Sequence, residues 1–366
     1  MEIDNANLAH IPENITNHIS SLPSLVVTRY SEDGANGYTF ICENSILNKK
    51  VVYKYCPRVD GSSEFIEPQT LASLNHPGIL RVSSAEILDE DYFYILTDYC
   101  ENGNLQNYIY EKNIPLDTVI DIITSLCNSV SYLHSKSIIH RDLKPSNIFI
   151  DEDGGVIIGD FGSARYVGED GFGNSKSQHS LIFRPPESFD SGLYSAKSDV
   201  YQIGIVLYLL LGGSLDYDAK SYLNKIQINK MEKIPCPIDR QIYNNSIIEE
   251  KIKKGNIFDF GSFGDHIPSG MKSIVKKMIS SDPGLRHSSL SEVVSLLAKE
   301  RDGLIPWVQE GKSIIAIGST SVKVTFEEGE RVNVYKRRTN SWRKVGVPGD
   351  LSMKDAIRQA KAIYRR

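Results

Sequence analysis

The chain has 366 residues, about two domains by length, and 40% hydrophobic with 24% charged residues is the balance of a globular protein with material for a core. That composition excludes collagen-like, mucin-like and wholly disordered chains. The net charge of −5 conceals an asymmetry: residues 304–366 hold 13 Lys and Arg against 6 Asp and Glu, a net of +7, so the remainder carries −12.

Residues 1–23 are polar, with a weak helical period at Ile11, Ile15 and Ile19 ended by Pro23. The start, MEIDNANLAH, has neither the basic nor the apolar region of a secretory signal. From Leu25 the pattern is strand-like: LVVTRY, YTFICE and KVVYKYC, joined by SEDGANG and NSILNK. Residues 64–75 read as helix and Tyr92 to Thr97 as a further strand. After Gly103 helices take over: Val119, Ile122, Ile123, Leu126, Val130 and Leu133 follow the 3.6-residue period between Pro115 and His134. The polar junction from Asp98 to Asn104 predicts a cleft between a small β-rich lobe and a larger helical one, where ligands usually sit. The longest apolar run, residues 203–211, contains Gly204 and Tyr208 and is far short of the ~20 residues that span a membrane, so it reads as a buried helix. Cys42, Cys56, Cys100, Cys127 and Cys236 have no CxxC spacing and read as free thiols of a reducing compartment. The expected location is cytoplasmic, with no membrane partner.

The strongest chemical signal is His140-Arg141-Asp142-Leu143-Lys144-Pro145-Ser146-Asn147, followed thirteen residues later by Asp160-Phe161-Gly162. Phosphoryl transfer needs oxygen ligands for magnesium, a carboxylate to receive the acceptor's proton and a cation on the phosphates. Asp142 suits the base, Lys144 the cation, and Asn147 and Asp160 the metal ligands. The stretch resembles the catalytic and metal-binding loops of the protein kinase family. Further motifs follow in that family's order over residues 25–300. Lys54 resembles the strand lysine that touches the α/β-phosphates, its side chain alternating away from Tyr53 and Tyr55. Glu67 resembles its helical glutamate partner, although Pro68 directly follows and is expected to shorten that helix. Thr97, Asp98 and Cys100 lie where the family binds adenine. Pro185-Pro186-Glu187 stands for Ala-Pro-Glu, with Arg286 as the partner of Glu187, and Asp199 opens the buried helix. The glycine-rich loop departs from GxGxxG: Glu32 replaces its first glycine, while Gly34 and Gly37 remain.

The resemblance implies an α+β, bilobal protein kinase fold over residues 25–303 (N-lobe 25–98, C-lobe 99–303), after an N-terminal extension, 1–24. It implies ATP and Mg2+ as cofactors and protein substrates. Lys144 favours Ser/Thr acceptors, including the chain itself. Arg141 is a cation that a phosphate on the following loop would pair with, and Ser175, Ser177 and Ser180 are the candidate acceptors. A pseudokinase scaffold is the alternative, for which only Glu32 and Pro68 speak. A small-molecule phosphotransferase generally carries HGD rather than HRD. The stretch 216–255 is longer than the family suggests and reads either as a docking insertion or as a solvated helical excursion.

Residues 304–366 lie beyond this resemblance. SIIAIG, VKVTFE, RVNVYK and SWRKVGV read as strands, with turns at Glu328-Gly329 and Thr339-Asn340. Ser352 caps a helix with Asp355 as its capping-box partner. The result is a small β-sheet with one helix, similar in pattern to the arm-binding domains of phage-type integrases. Lys323, Arg331, Lys336, Arg337, Arg338, Arg343 and Lys344 cluster on the strands with Tyr335 and Trp342 between them. Three roles for this basic face stand open: nucleic-acid binding, docking of a partner or substrate, and folding back on the acidic body.

Overall fold

The computed structural model describes residues 11–31, 37–58, 65–111, 113–168, 172–174, 181–326, 332–339, 341–346 and 351–365. The chain forms two compact units, Met1–Asn104 with Phe149–Ala164 and Leu105–Ile148 with Arg165–Arg366.

The first unit is a five-stranded antiparallel sheet of β1 (Leu25–Ser31), β2 (Tyr38–Asn44), β3 (Lys49–Pro57), β4 (Val82–Ile87) and β5 (Tyr92–Asp98), in the order β1-β2-β3-β5-β4. Helix α1 (Glu13–Ser20) lies on one face of it. The period seen at Ile11, Ile15 and Ile19 is the face it buries, against Phe40, Cys42, Val51, Tyr53, Tyr55 and Tyr94. His18 Nδ1 lies 2.7 Å from the Tyr55 hydroxyl, so the polar tip of that buried ring is satisfied. Each such buried side chain contributes roughly 1.5–3 kcal/mol, so α1 is part of this unit's core. Helix α2 (Ile66–Ala72) is shorter than the 64–75 expectation. Pro68 falls in its first turn, where backbone N–H groups have no intrahelical acceptor, so the ring costs no hydrogen bond. The short strands Ile148–Ile150 and Val156–Ile158 pair as a hairpin, and Ile158 bridges to Ile79.

The second unit is built on α3 (Leu105–Glu111), α4 (Leu116–Ser135), α5 (Glu187–Ser191), α6 (Ala196–Leu210), α7 (Lys225–Glu232), α8 (Pro237–Lys253), α9 (Ser269–Met278) and α10 (Leu290–Arg301). All six periodic apolar residues of α4 are buried. Helix α6 is buried nearly all round, which explains its uninterrupted apolar sequence, and a Ser195–Ser198 capping box starts it. The long 216–255 stretch supplies α7 and α8. It leaves Ile226, Ile238 and Ile242 exposed, and its α8 lines a cavity of about 590 Å³ with Leu181 and Ile182.

The C-terminal residues of this unit form a second antiparallel sheet, β6 (Val308–Glu310), β7 (Ser313–Ala316), β8 (Ser321–Phe326), β9 (Val332–Arg337) and β10 (Arg343–Lys344), ordered sequentially. Helix α11 (Met353–Tyr364) packs on β8 and β9 with Ala356, Ile357 and Ala360 buried. Its Ser352 cap accepts from the Asp355 amide at 3.2 Å, and the hydroxyl donates to the Asp355 carboxylate at 2.6 Å. Trp307, Ile314, Met353 and Ile357 of this module line a cavity of about 800 Å³ with Leu209, Leu211, Phe263 and His266. Among the described residues no helix is long and apolar enough to cross a membrane.

Candidate active site

Strand alternation places the first group of functional residues. Tyr53 and Tyr55 of β3 turn under α1, so Lys54 between them projects from the opposite face. Its Nζ lies 2.9 and 2.8 Å from the two carboxylate oxygens of Glu67 on α2, and 3.2 Å from Oδ1 of Asp160. Burial alone would lower the Lys54 ammonium. The carboxylates of Glu67 and Asp160 outweigh it and hold the group well above the ordinary lysine value, so Lys54 stays charged. Asp160 adopts φ 57°, ψ 68°, a left-handed conformation uncommon for a side-chain-bearing residue. Phe161 next to it is fully buried. Gly37 meets a steric requirement: a Cβ there would approach the Tyr55 carbonyl oxygen to 2.1 Å. Gly34, Glu32 and the acceptor candidates Ser175, Ser177 and Ser180 lie outside the described residues.

A second group gathers in the other unit. Lys144 Nζ donates to Asp142 Oδ2 at 2.8 Å, and Asn147 Nδ2 donates to the same oxygen at 3.0 Å and to the Asp142 carbonyl at 2.9 Å. With its nitrogen so engaged, Asn147 offers its Oδ1 as the remaining polar atom. The loop that presents these residues is tied to α6. Asp199, fully buried, accepts from the His140 amide at 3.1 Å and the Arg141 amide at 2.9 Å, and lies 2.7 Å from His134 Nε2. Burial would raise its carboxyl, but the hydrogen bonds from His134 and the Arg141 amide outweigh it and hold the group below the usual aspartate range. Gln202, one turn further, donates to the Arg141 carbonyl at 2.8 Å and accepts from the Leu143 amide at 3.0 Å. Arg141 holds a left-handed φ of 72°. These anchors are what let a strained loop persist. A backbone-binding role for Asp199 and Gln202 escaped the sequence reading; the available signal was two polar residues inside an otherwise apolar helix.

Residues 33–297 match the protein kinase domain. The chain belongs to the protein kinase family. It is 32% identical over 205 residues to the serine/threonine-protein kinase PrkC of Bacillus subtilis, covering 53% of this chain and 31% of that protein. It is 32% identical over 163 residues to the mouse serine/threonine-protein kinase Nek3, covering 44% and 32%. A probable serine/threonine-protein kinase, PknB of Lactococcus lactis, is 28% identical over 235 residues, covering 63% and 34%. The chain spans about a third of the length of these curated relatives.

In this kinase domain Glu187 and Arg286 form the expected pair: the guanidinium grips both carboxylate oxygens, at 2.9 and 2.7 Å, and also reaches the Lys197 and Ser280 carbonyls. Thr97 is buried at the end of β5, Asp98 pairs with Lys49, and Cys100 is a half-buried thiol that burial pushes up to about 11. Burial, reinforced by the neighbouring Arg165 cation, lowers the Arg141 guanidinium to about 10. Its plane lies over Tyr194 at 5.2 Å.

Proposed function

We propose that this protein is a Ser/Thr protein kinase that uses ATP and Mg2+ to phosphorylate protein hydroxyls, its own among them. The observations that carry the reading are Lys54 bridging Glu67 and Asp160 in one unit and an Asp142 oriented by Lys144 and Asn147 in the other. The Asp160 carboxylate in one unit and Asn147 Oδ1 in the other are each a hard oxygen donor of the kind that magnesium takes, and either could hold the metal. Bound there, the metal would neutralise charge on the phosphates. Lys54 holds the α/β-phosphates, and Glu67 fixes that lysine in direction. Asp142 accepts the proton as the acceptor oxygen bonds to the γ-phosphorus and the bridging bond to ADP breaks. Lys144, 2.8 Å from the base, supplies positive charge where the phosphoryl group passes. Lys144 and the PrkC and Nek3 likeness support Ser/Thr acceptors.

The test is incubation with γ-labelled ATP and magnesium, with the modified residues mapped by mass spectrometry. Labelled Ser or Thr is expected in the wild type, and Asp160→Ala is expected to lose most of it. Wild-type labelling in Asp160→Ala overturns the mechanism.

A further inference from the structure

We propose that Gln202 is a positioning residue that sets a polypeptide acceptor against Asp142, an inference that rests on the kinase reading above. Gln202 stands on α6 and is fully buried. Val200, Tyr201 and Ile203 beside it are buried too, so its amide needs partners to offset the cost of burial. It has three, all of them backbone groups. Oε1 accepts from the Leu143 amide at 3.0 Å, and Nε2 donates to the Arg141 carbonyl at 2.8 Å and to the Phe183 carbonyl at 3.2 Å. The first two belong to the residues on either side of Asp142. The third belongs to a different segment, Leu181–Phe183, which runs through Arg184 into Pro185-Pro186-Glu187. One nitrogen thus stands within 3.2 Å of both carbonyl oxygens, and the loop that carries the base is pinned to the neighbouring segment by a single side chain.

The far end of that segment is fixed without help from the catalytic loop. Arg184 bonds the hydroxyl and the carbonyl of Ser188, each at 3.0 Å, and Glu187 is gripped by Arg286. Leu181 and Ile182 border the cavity that α8 lines. An extended peptide advances only ~3.3 Å per residue, so residues adjoining a hydroxyl that has reached Asp142 come alongside this segment. Gln202 then fixes the spacing between the surface that carries the acceptor chain and the base that takes its proton. Asp199 holds the same loop through the His140 and Arg141 amides, but among the described residues it has no bond to Leu181–Phe183. Two donors and an acceptor at this reach are what a primary amide offers. A carboxylate would face both carbonyls with negative charge, and Met brings no donor.

The experiment compares two acceptors, casein and water, for the full chain with γ-labelled ATP and magnesium. Transfer to water yields inorganic phosphate and needs no polypeptide surface. Gln202→Met and Gln202→Glu should lower the ratio of casein phosphorylation to ATP hydrolysis at least about tenfold, since a displacement of about 1 Å costs up to about 10²-fold. Gln202→Glu keeps the shape and the Leu143 bond should Gln202→Met fail to fold. Asp199→Asn, which disturbs the loop alone, should lower both rates and leave the ratio at its wild-type value. All rates are taken well below each variant's melting temperature, so a loss of stability by itself does not move the ratio. A folded Gln202 variant that keeps the wild-type ratio overturns the proposal, and so does an Asp199→Asn ratio that falls as far. A wild type that labels neither casein nor itself ends the kinase reading as well, whereas an active wild type confines the failure to Gln202.

Discussion

His266, which lines the cavity between the helical unit's core and the C-terminal module, should make the fold acid-sensitive. Only 9% of the residue is exposed. Burial, then the cations of Lys272 on α9 and Lys361 on α11, lower its imidazolium to about 4 from the ordinary 6.5, against a smaller opposite push from Asp265. A folded value below the unfolded one means that the unfolded chain takes the proton first as pH falls. The stabilisation is therefore complete above about pH 6.5 and drains away as pH drops towards 4. Those two values give a loss of about 2 kcal/mol between pH 7.5 and 5.0, approaching about 3 kcal/mol at lower pH. Urea unfolding followed by tryptophan fluorescence at pH 7.5, 6.0 and 5.0 would measure it. The wild type should lose about 2 kcal/mol more than His266→Phe across that range, and Lys361→Met should lose less than wild type. Equal losses in wild type, His266→Phe and a second variant, His266→Asn, would refute the reasoning.

Glu67→Gln should reduce the rate of phosphoryl transfer by about 10²-fold with little change in stability, because Lys54 keeps Asp160 but loses its orienting carboxylate; steady-state kinetics on a generic basic protein would show it. Asp199→Ala should cost at least about 4 kcal/mol in urea unfolding, since it leaves two buried backbone N–H groups and His134 without their acceptor, and activity should fall with it. Replacing Ser175, Ser177 and Ser180 together by Ala should lower the rate on an added substrate if phosphate near Arg141 orders the loop; an unchanged rate in that assay ends the regulatory idea.

The residues of the candidate site were legible in the sequence because Asp142, Lys144, Asn147 and Asp160 stand in one motif, HRDLKPSN followed by DFG, and because a two-residue period tells which way Lys54 must face. The Tyr53–Lys54–Tyr55 alternation and the α4 period passed unchanged into the structure. Strand β4 was not legible: VSSAEI sits at the sheet's edge, mostly exposed, and carries too few apolar residues to show a period. Strand β6, three residues long, fell below any pattern length. The partner of α1 was invisible for a different reason. A helix period shows that a face is apolar, but the aromatic surface of β3 and β5 that covers it comes from 30 to 80 residues away in the chain. Charge asymmetry offered folding back on the acidic body as one role for the C-terminal module; the cavity where the module meets the helical unit is lined by Trp307, Ile314 and Ile357 together with Lys312, Asp265 and His266.

The attachment of the catalytic loop to α6 has a consequence for hydrogen exchange. The amides of His140 and Arg141 end on Asp199, and that carboxylate belongs to a helix buried on nearly every side. Neither amide can meet solvent unless Asp199 lets go, so both should exchange only through openings that approach global unfolding of the helical unit. Lys54 is oriented by Glu67, which stands in the first turn of a seven-residue helix, α2. Amides of α2 should open at far lower free energy. Asp142 is thus fixed as firmly as the core itself, and the lysine–glutamate pair is the part of the machinery that small free-energy changes can assemble or dismantle.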